Sequence, residues 1–368
     1  YGLVGSEMCI RDRLCPQNRP VAVPTPASIP LPITAANMGA PQIRYDKFMT
    51  ESTHTTRVAP LPCDVLAAER TLVMGILNVT PDSFSDGGQH YAATDAIAHA
   101  ARMIAEGASI IDIGGESTRP AGAVRISVEE EQRRILPVIE AVAQMGTTIS
   151  VDTMNPQTAR AAIAAGAHII NDVSGLNVSD EMIETAAELQ VPYILMHARG
   201  TSQTMDSLAE YPRGVVTEVV EELTGLRERF LAAGVLPQNL ILDPGLGFAK
   251  GGMQDWELLA AIDELQGLGH RLLIAGSRKR FIANALTAAD MALAERLNAS
   301  GFTATDAGEA ERELWQSLSE PRPAQHRDAA SAAVTALVAA RGVWAVRVHD
   351  VPASVDAVTV ASALRSVS

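Results

Sequence analysis

The chain has 368 residues, 47% of them hydrophobic, and carries 43 Asp and Glu against 29 Lys and Arg, a formal net charge of −14. That acidic excess argues against a nucleic-acid-binding surface, although a local basic cluster can still oppose the global field and meet a small anion. The three cysteines, Cys9, Cys15 and Cys63, all lie in the N-terminal stretch, so neither a disulfide framework nor a thiolate metal centre is expected beyond it. No apolar run is long enough to span a bilayer, so no membrane partner is expected, and the expected compartment is the cytosol.

Residues 1–65 are rich in Pro, Thr and Ala and follow neither a helical nor a strand period, which reads as a disordered extension. Within it, Ser6–Arg13 resembles a translated sequencing adapter, and a natural start at Met38 or Met49 is expected. The folded domain is placed at 66–368. From Thr71 onward, short apolar runs alternate with helical patterns. The strands are expected at Leu72–Leu77, Ile110–Ile113, Thr148–Val151, His168–Ile170, Pro192–Met196, Leu240–Leu242, Arg271–Ile274 and Trp344–Val348. The helices between them are expected at Thr94–Glu106, Ser127–Gln144, Pro156–Ala165, Asp180–Leu189, Val215–Ala233, Asp255–Leu265 and from about Lys279, with a last one at Ala353–Ser366. Ser127 with Glu130 forms a capping box, and Gly166 and Gly234 close two helices. Eight βα units close a TIM (β/α)8 barrel of the α/β class; an open doubly wound sheet is the alternative. Between strands seven and eight, residues 286–327 form a polar, Ala/Glu-rich insertion. It is expected to hold helix around Ala289–Asn298 and Glu309–Ser317 before Asp328–Arg341 packs back on the barrel.

In a barrel of this kind the residues that follow each strand converge on one face. Here they are polar after all eight strands. Strand one delivers Asn78, Thr80 and Asp82; strand two Glu116, Ser117, Thr118 and Arg119; strand three Asp152; strand four Asn171 and Asp172. Strand five delivers His197, strand six Asp243, strand seven Ser277, Arg278 and Lys279, and strand eight Arg347 and His349. One such residue is best read as a cap, a turn former or a solvated charge. Eight in register imply a built pocket. For His197 a core role is an equal alternative. Asp152, Asn171, Asp243 and Lys279 supply acceptors, donors and one cation, which suits a flat heterocycle bearing N–H donors and ring acceptors, such as a pterin. Arg119, Arg347 and His349, with Asn78 and a divalent ion, suit a diphosphate. There is no P-loop, no GxGxxG run and no Cys/His zinc pattern.

These residues sit in long segments that resemble one family, the dihydropteroate synthases. The segments are Met74–Gly88 (MGILNVTPDSFSDGG), Ile111–Pro120 (IDIGGESTRP), Ile149–Thr153, Ile170–Gly175, Ile194–His197, Ile241–Gly245, Gly276–Lys279 and Val346–Asp350. The resemblance covers about Thr71 to Val351, apart from the insertion. It implies a transferase that joins (7,8-dihydropterin-6-yl)methyl diphosphate to 4-aminobenzoate, with Asp82, Arg119, Asp243 and Lys279 as catalytic groups. It implies that Asp152, Asn171, Asp243 and Lys279 hold the pterin, and that Asn78, Arg119, Arg347 and His349 hold the diphosphate. Asn78 would ligate Mg²⁺; Phe84, Thr118, Pro120, Lys279 and Arg280 would frame the 4-aminobenzoate, where sulfonamides compete. The loops 78–88 and 118–123 are the expected lids, and a homodimer the expected assembly. Departures are an extra residue in Pro120–Ala123, Arg280 where many members have Ser, and Ala249 in place of Gly. The alternatives are a methyltetrahydrofolate-binding methyltransferase on the same barrel and a non-catalytic pterin-binding paralogue.

Overall fold

The computed structural model describes residues 65–80, 89–116, 126–201, 203–299 and 321–367. Eight parallel strands close a barrel in chain order: β1 Leu72–Asn78, β2 Ile110–Gly114, β3 Thr148–Asp152, β4 Ile169–Asp172, β5 Tyr193–Met196, β6 Leu240–Asp243, β7 Arg271–Ile274 and β8 Ala345–Val348. The helices are α1 Gln89–Ala105, α2 Val128–Ala143, α3 Pro156–Ala164, α4 Asp180–Leu189, α5 Val215–Ala232, α6 Gln254–Ala260, α7 Ile262–Gln266, α8 Arg280–Ala299, α9 Asp328–Ala340 and α10 Val351–Arg365. β8 pairs with β1 through Leu72↔Ala345 to Gly75↔Val348, which excludes the open sheet.

Alternation along each strand sorts the side chains into two cores. Leu72, Met74, Ile110, Ile169, Ile194, Ile241, Leu273 and Ala345 form an inner apolar plug. Val73, Leu77, Ile111, Ile113, Ile149, Val151, Tyr193, Leu242 and Val346 face outward, into the layer shared with the helices. The plug fills only the lower part of the barrel. Above it the inward positions are polar: Asp112, Ser150, Asp152, Asn171, Asp243 and Arg347. Below it, Val65 joins the plug, its carbonyl accepting from Trp344 Nε1 at 2.8 Å, and Leu66 O accepts from Arg271 Nε at 2.8 Å. The fold thus reaches back to Val65, a residue that composition alone assigns to the extension.

Local chemistry explains the helix starts. The Ser127 side chain accepts from Glu130 N at 3.2 Å, the Ser179 hydroxyl from Met182 N at 3.1 Å, and the Asp350 carboxylate from Ala353 N at 3.2 Å. Three boundaries differ from the sequence expectation. Helix α1 begins at Gln89, well before Thr94, because a helix start has no sequence marker where the preceding sequence is equally polar. The helix expected at Asp255–Leu265 is two, α6 and α7, divided at Ala261, whose φ of −94° and ψ of 24° leave the helical well. The helix expected at Ala289–Asn298 is the continuation of α8, one helix from Arg280 to Ala299, since nothing in that run caps or breaks it. The expected Glu309–Ser317 helix lies outside the described residues.

Candidate active site

The C-terminal ends of the strands build one polar network over the apolar plug. Arg347, at position three of β8, turns inward. Its Nε donates to Asp112 Oδ2 at 2.6 Å and its NH2 donates to Asp152 Oδ2 at 2.7 Å. Asn171 Nδ2 donates to the same Asp112 Oδ2 at 3.1 Å. Four strands, β2, β3, β4 and β8, are therefore joined through one guanidinium and two carboxylates. Burial pushes the Asp152 carboxyl up to about 7; Arg347 opposes the rise, and Asp112, Asp172 and Glu131 add to it. Burial also disfavours the charge on Arg347, but Asp112 and Asp152 outweigh it and hold its pKa above the ordinary value.

A second group faces the first from β6 and β7. Asp243 is buried, and its Oδ1 accepts from Gly245 N at 2.7 Å. Burial raises its pKa, against the pull of Lys279 and of that N–H. Lys279 is half-buried, donates to Leu246 O and lies 4.8 Å from the centre of the Phe248 ring. Burial lowers its ammonium to about 8, and the carboxylates of Asp243 and Asp255 limit the fall. Each half of the site is thus an incompletely neutralised ion cluster in low dielectric, which responds strongly to a polar ligand.

The loops that carry these groups are fixed from behind. Buried Glu131 on α2 accepts from Thr153 Oγ1 at 2.8 Å, Asn155 Nδ2 at 2.8 Å and Thr158 Oγ1 at 2.7 Å, which sets the turn after Asp152. Arg278, next to Lys279, has a left-handed φ of 61°. It holds it because its N–H donates to Ser331 Oγ at 3.0 Å and its guanidinium grips Asp328 at 2.6 and 2.7 Å. At Gly245, with φ of 66°, a Cβ would lie 1.8 Å from His197 O, so only glycine lets the strand-six turn pass the end of β5. Ala249 has φ of 52°, the conformation that accounts for glycine being usual there.

His197 is fully buried, and its Nε2 lies 2.7 Å from Glu222 Oε2 and its Nδ1 3.0 Å from Lys250 Nζ. Burial and the Lys250 charge lower its pKa to about 4, so at neutral pH it is uncharged, with Nδ1 accepting and Nε2 donating. Lys250 also donates to Phe248 O at 2.8 Å. The core reading of His197 is the one that the structure supports.

The structure brings together Asp152, Asn171, Asp243, Lys279 and Arg347. Asn78 ends β1 half-buried, in register with Gly114, on the inward side by strand alternation. His349 stands beside Ser277, its Nδ1 3.1 Å from Ser277 Oγ. Arg280 lies apart, exposed and paired with Asp206 at 3.1 and 2.6 Å. Asp82, Phe84, Thr118, Arg119 and Pro120 fall outside the described residues. Asp112, Phe248 and Lys250 escaped the sequence reading. The available signal for Asp112 was a carboxylate inside an otherwise apolar strand; for Phe248 and Lys250 it was their place five and seven residues past Asp243, beyond the strand tip.

Residues 74–349 match the family model described as "Pterin binding enzyme". The dihydropteroate synthase of Mycobacterium leprae (strain TN) is 43% identical over 291 residues, covering 79% of this chain and 92% of that protein. Among solved structures, the Xanthomonas albilineans dihydropteroate synthase with 4-aminobenzoic acid is 40% identical with a TM-score of 0.66, covering 82% of this chain and 95% of that one. The same enzyme in complex with 7,8-dihydropteroate is 38% identical, with a TM-score of 0.64 and the same coverage. A barrel with this polar mouth, matched along nearly all of its described length by such relatives, belongs to the pterin-binding enzyme family, among the dihydropteroate synthases.

Proposed function

We propose that this chain condenses (7,8-dihydropterin-6-yl)methyl diphosphate with 4-aminobenzoate, giving 7,8-dihydropteroate and diphosphate. The observation that carries the reading is the convergence of Asp152, Asn171, Asp243, Lys279 and Arg347 at one mouth of the barrel. A pterin presents ring N–H and amino donors beside ring acceptors, and these side chains offer both complements in a site where an unmatched group is costly.

The bond that breaks is the one between the methylene carbon and the bridging oxygen, whose electron pair leaves with the diphosphate. The arylamine nitrogen supplies the pair for the new C–N bond, then loses a proton to solvent. Asp243 stabilises the electron-poor pterin-methyl carbon electrostatically, with Asp82 assigned the same part from the first lid. Lys279 offsets part of the Asp243 charge in the resting enzyme and orients the ring. Arg119, Arg347 and His349 meet charge that grows on the leaving group, and such groups contribute most where charge develops. Placement and charge carry the reaction, without a covalent enzyme intermediate.

Among the described residues no cluster of three or more His, Cys, Asp or Glu side chains forms a cation cage. Asn78, half-buried at the end of β1, carries an amide oxygen that fits Mg²⁺ in its usual mode, one protein oxygen completed by substrate phosphate oxygens and water. Bound there, Mg²⁺ would offset charge on the departing diphosphate. Phe84, Thr118, Pro120 and Lys279 are assigned to 4-aminobenzoate, where a sulfonamide would compete; Arg280 would join them by exchanging its Asp206 partner for the substrate carboxylate. The exposed apolar side chains Leu337 on α9 and Val360 and Leu364 on α10 support a homodimer through these helices. No described helix is long and apolar enough to cross a membrane, and the cytosol remains the assigned compartment.

The test is to incubate the protein with the dihydropterin-methyl diphosphate, labelled 4-aminobenzoate and Mg²⁺. Labelled dihydropteroate formed one for one with diphosphate, and lost when the metal is chelated, is expected. Folded protein that binds the pterin and forms no product would overturn the reading in favour of a binding paralogue. Methyl transfer from methyltetrahydrofolate would overturn it in favour of a methyltransferase.

A further inference from the structure

Asp112 is among the most enclosed polar side chains of the molecule, at 0% exposure in the middle of β2. It lies one inward position below Gly114, under the strand tips. Its Oδ2 receives both Arg347 Nε and Asn171 Nδ2, at 2.6 and 3.1 Å, while Asp152 Oδ2 accepts from Nη2 of the same guanidinium at 2.7 Å. The guanidinium is thus held through two of its nitrogens by carboxylates from neighbouring strands, which fixes its orientation. Asp112 Oδ1 has no protein partner, nor has the buried hydroxyl of Ser150, its neighbour in register on β3. A buried carboxylate that leaves one oxygen unpaired is a poor device for stability alone, since an apolar residue in this layer avoids the desolvation.

We propose that Asp112 is a positioning residue for the condensation: through one carboxylate oxygen it holds Arg347 and Asn171 in the orientation in which they meet the dihydropterin substrate. This rests on the function proposed above. Asp112 acts through its neighbours and needs its negative charge to do so. Its charge also bears on Asp152, which faces Arg347 from β8, Asp112 from β2, Asp172 from β4 and Glu131 from α2.

The test uses the full chain with Asp112→Asn, which keeps the shape and removes the charge, and Asp112→Ser as a smaller neutral variant. Loss of a charge-assisted anchor is expected to raise KM for the pterin diphosphate roughly tenfold, with KM for 4-aminobenzoate within about twofold of wild type. With the Asp112 anion gone, Arg347 acts on Asp152 alone, so the acid limb of kcat/KM should move to lower pH. In an Arg347→Lys background, Asp112→Asn should add less than about twofold, because the two act as one unit. A loss of thermal stability with both KM values moved alike and the acid limb unmoved would assign Asp112 a purely structural part and overturn the proposal, as would full additivity with Arg347→Lys. Wild-type turnover in the same assay checks the underlying function separately. Were it absent, a fluorescence titration of pterin against wild type and Asp112→Asn would still decide whether Asp112 positions the pocket.

Discussion

Lys279 shows how one side chain ties the fold to the chemistry. Its stem packs along Gly247, whose added Cβ would meet Lys279 Cδ at 3.1 Å, its ammonium donates to Leu246 O, and Asp243 depends on it for charge balance. Replacing it with Met leaves buried Asp243 only the weaker influence of Lys250 and Arg347, so kcat/KM for the pterin diphosphate should fall roughly 100-fold, the equivalent of about 3 kcal/mol of lost charge stabilisation. Because the Lys279 ammonium sits at about 8, activity that requires its charge should decline as pH rises through that value. A pH–rate profile of wild type checks the sign; an alkaline limb that persists in Lys279→Met would show that another group titrates there. His197 behaves differently. Its folded pKa of about 4 lies below the unfolded value of 6.5, so the unfolded chain binds the extra proton between them. The stability it contributes is complete above pH 6.5 and is lost as pH falls toward 4, by a few kcal/mol at most. Urea midpoints of wild type and His197→Gln across that range should converge toward the acid end; parallel curves would refute the assignment.

The loops after the strands are the elements on which the site depends, and each is held by groups away from the pocket. The turn after β6 passes so close to His197 O that Gly245→Ala should destabilise the protein by roughly 3 kcal/mol or more, from left-handed backbone and overlap together. Thermal unfolding measures it, and a shift under about 2 °C would show that the turn can move aside. Strands were the more legible elements. Several are short apolar runs that stop at polar residues, so Asp152, the pair Asn171 and Asp172, and Asp243 mark strand ends in the sequence and occupy them in β3, β4 and β6. Helix limits were less legible, because α1 and α8 extend through polar, Ala-rich sequence that carries no cap at the expected boundary. Residue pairings were least legible. That Arg347 reaches across to β2 and β3 depends on barrel closure, which sets residues 235 and 195 apart in the chain within one hydrogen bond. Asp112 was hidden for the same reason: in one dimension it is only an interruption of an apolar strand.

At the scale of the whole molecule, the barrel separates stability from function. The apolar plug and the helix layer hold the lower part, whereas buried carboxylates and their cations crowd the upper mouth, where burial is unfavourable until a ligand completes it. The outer surface adds a prediction. Leu337 and Val360 are each 68% exposed and Leu364 60%, on adjacent helices. Leu337→Glu with Val360→Glu should convert a dimer to monomers in sedimentation velocity at micromolar protein, leaving the melting transition cooperative. A wild type that sediments as a monomer would refute the dimer.

In the proposed reaction the bond broken at the barrel mouth is carbon–oxygen, not phosphorus–oxygen. This is tested most directly with a dihydropterin-methyl diphosphate labelled with ¹⁸O at the oxygen joining the methylene to phosphorus, turned over with 4-aminobenzoate. The label should appear wholly in the released diphosphate, with unlabelled dihydropteroate as the other product. Label retained in a dihydropterin alcohol, with no arylamine joined to the methylene carbon, would contradict it.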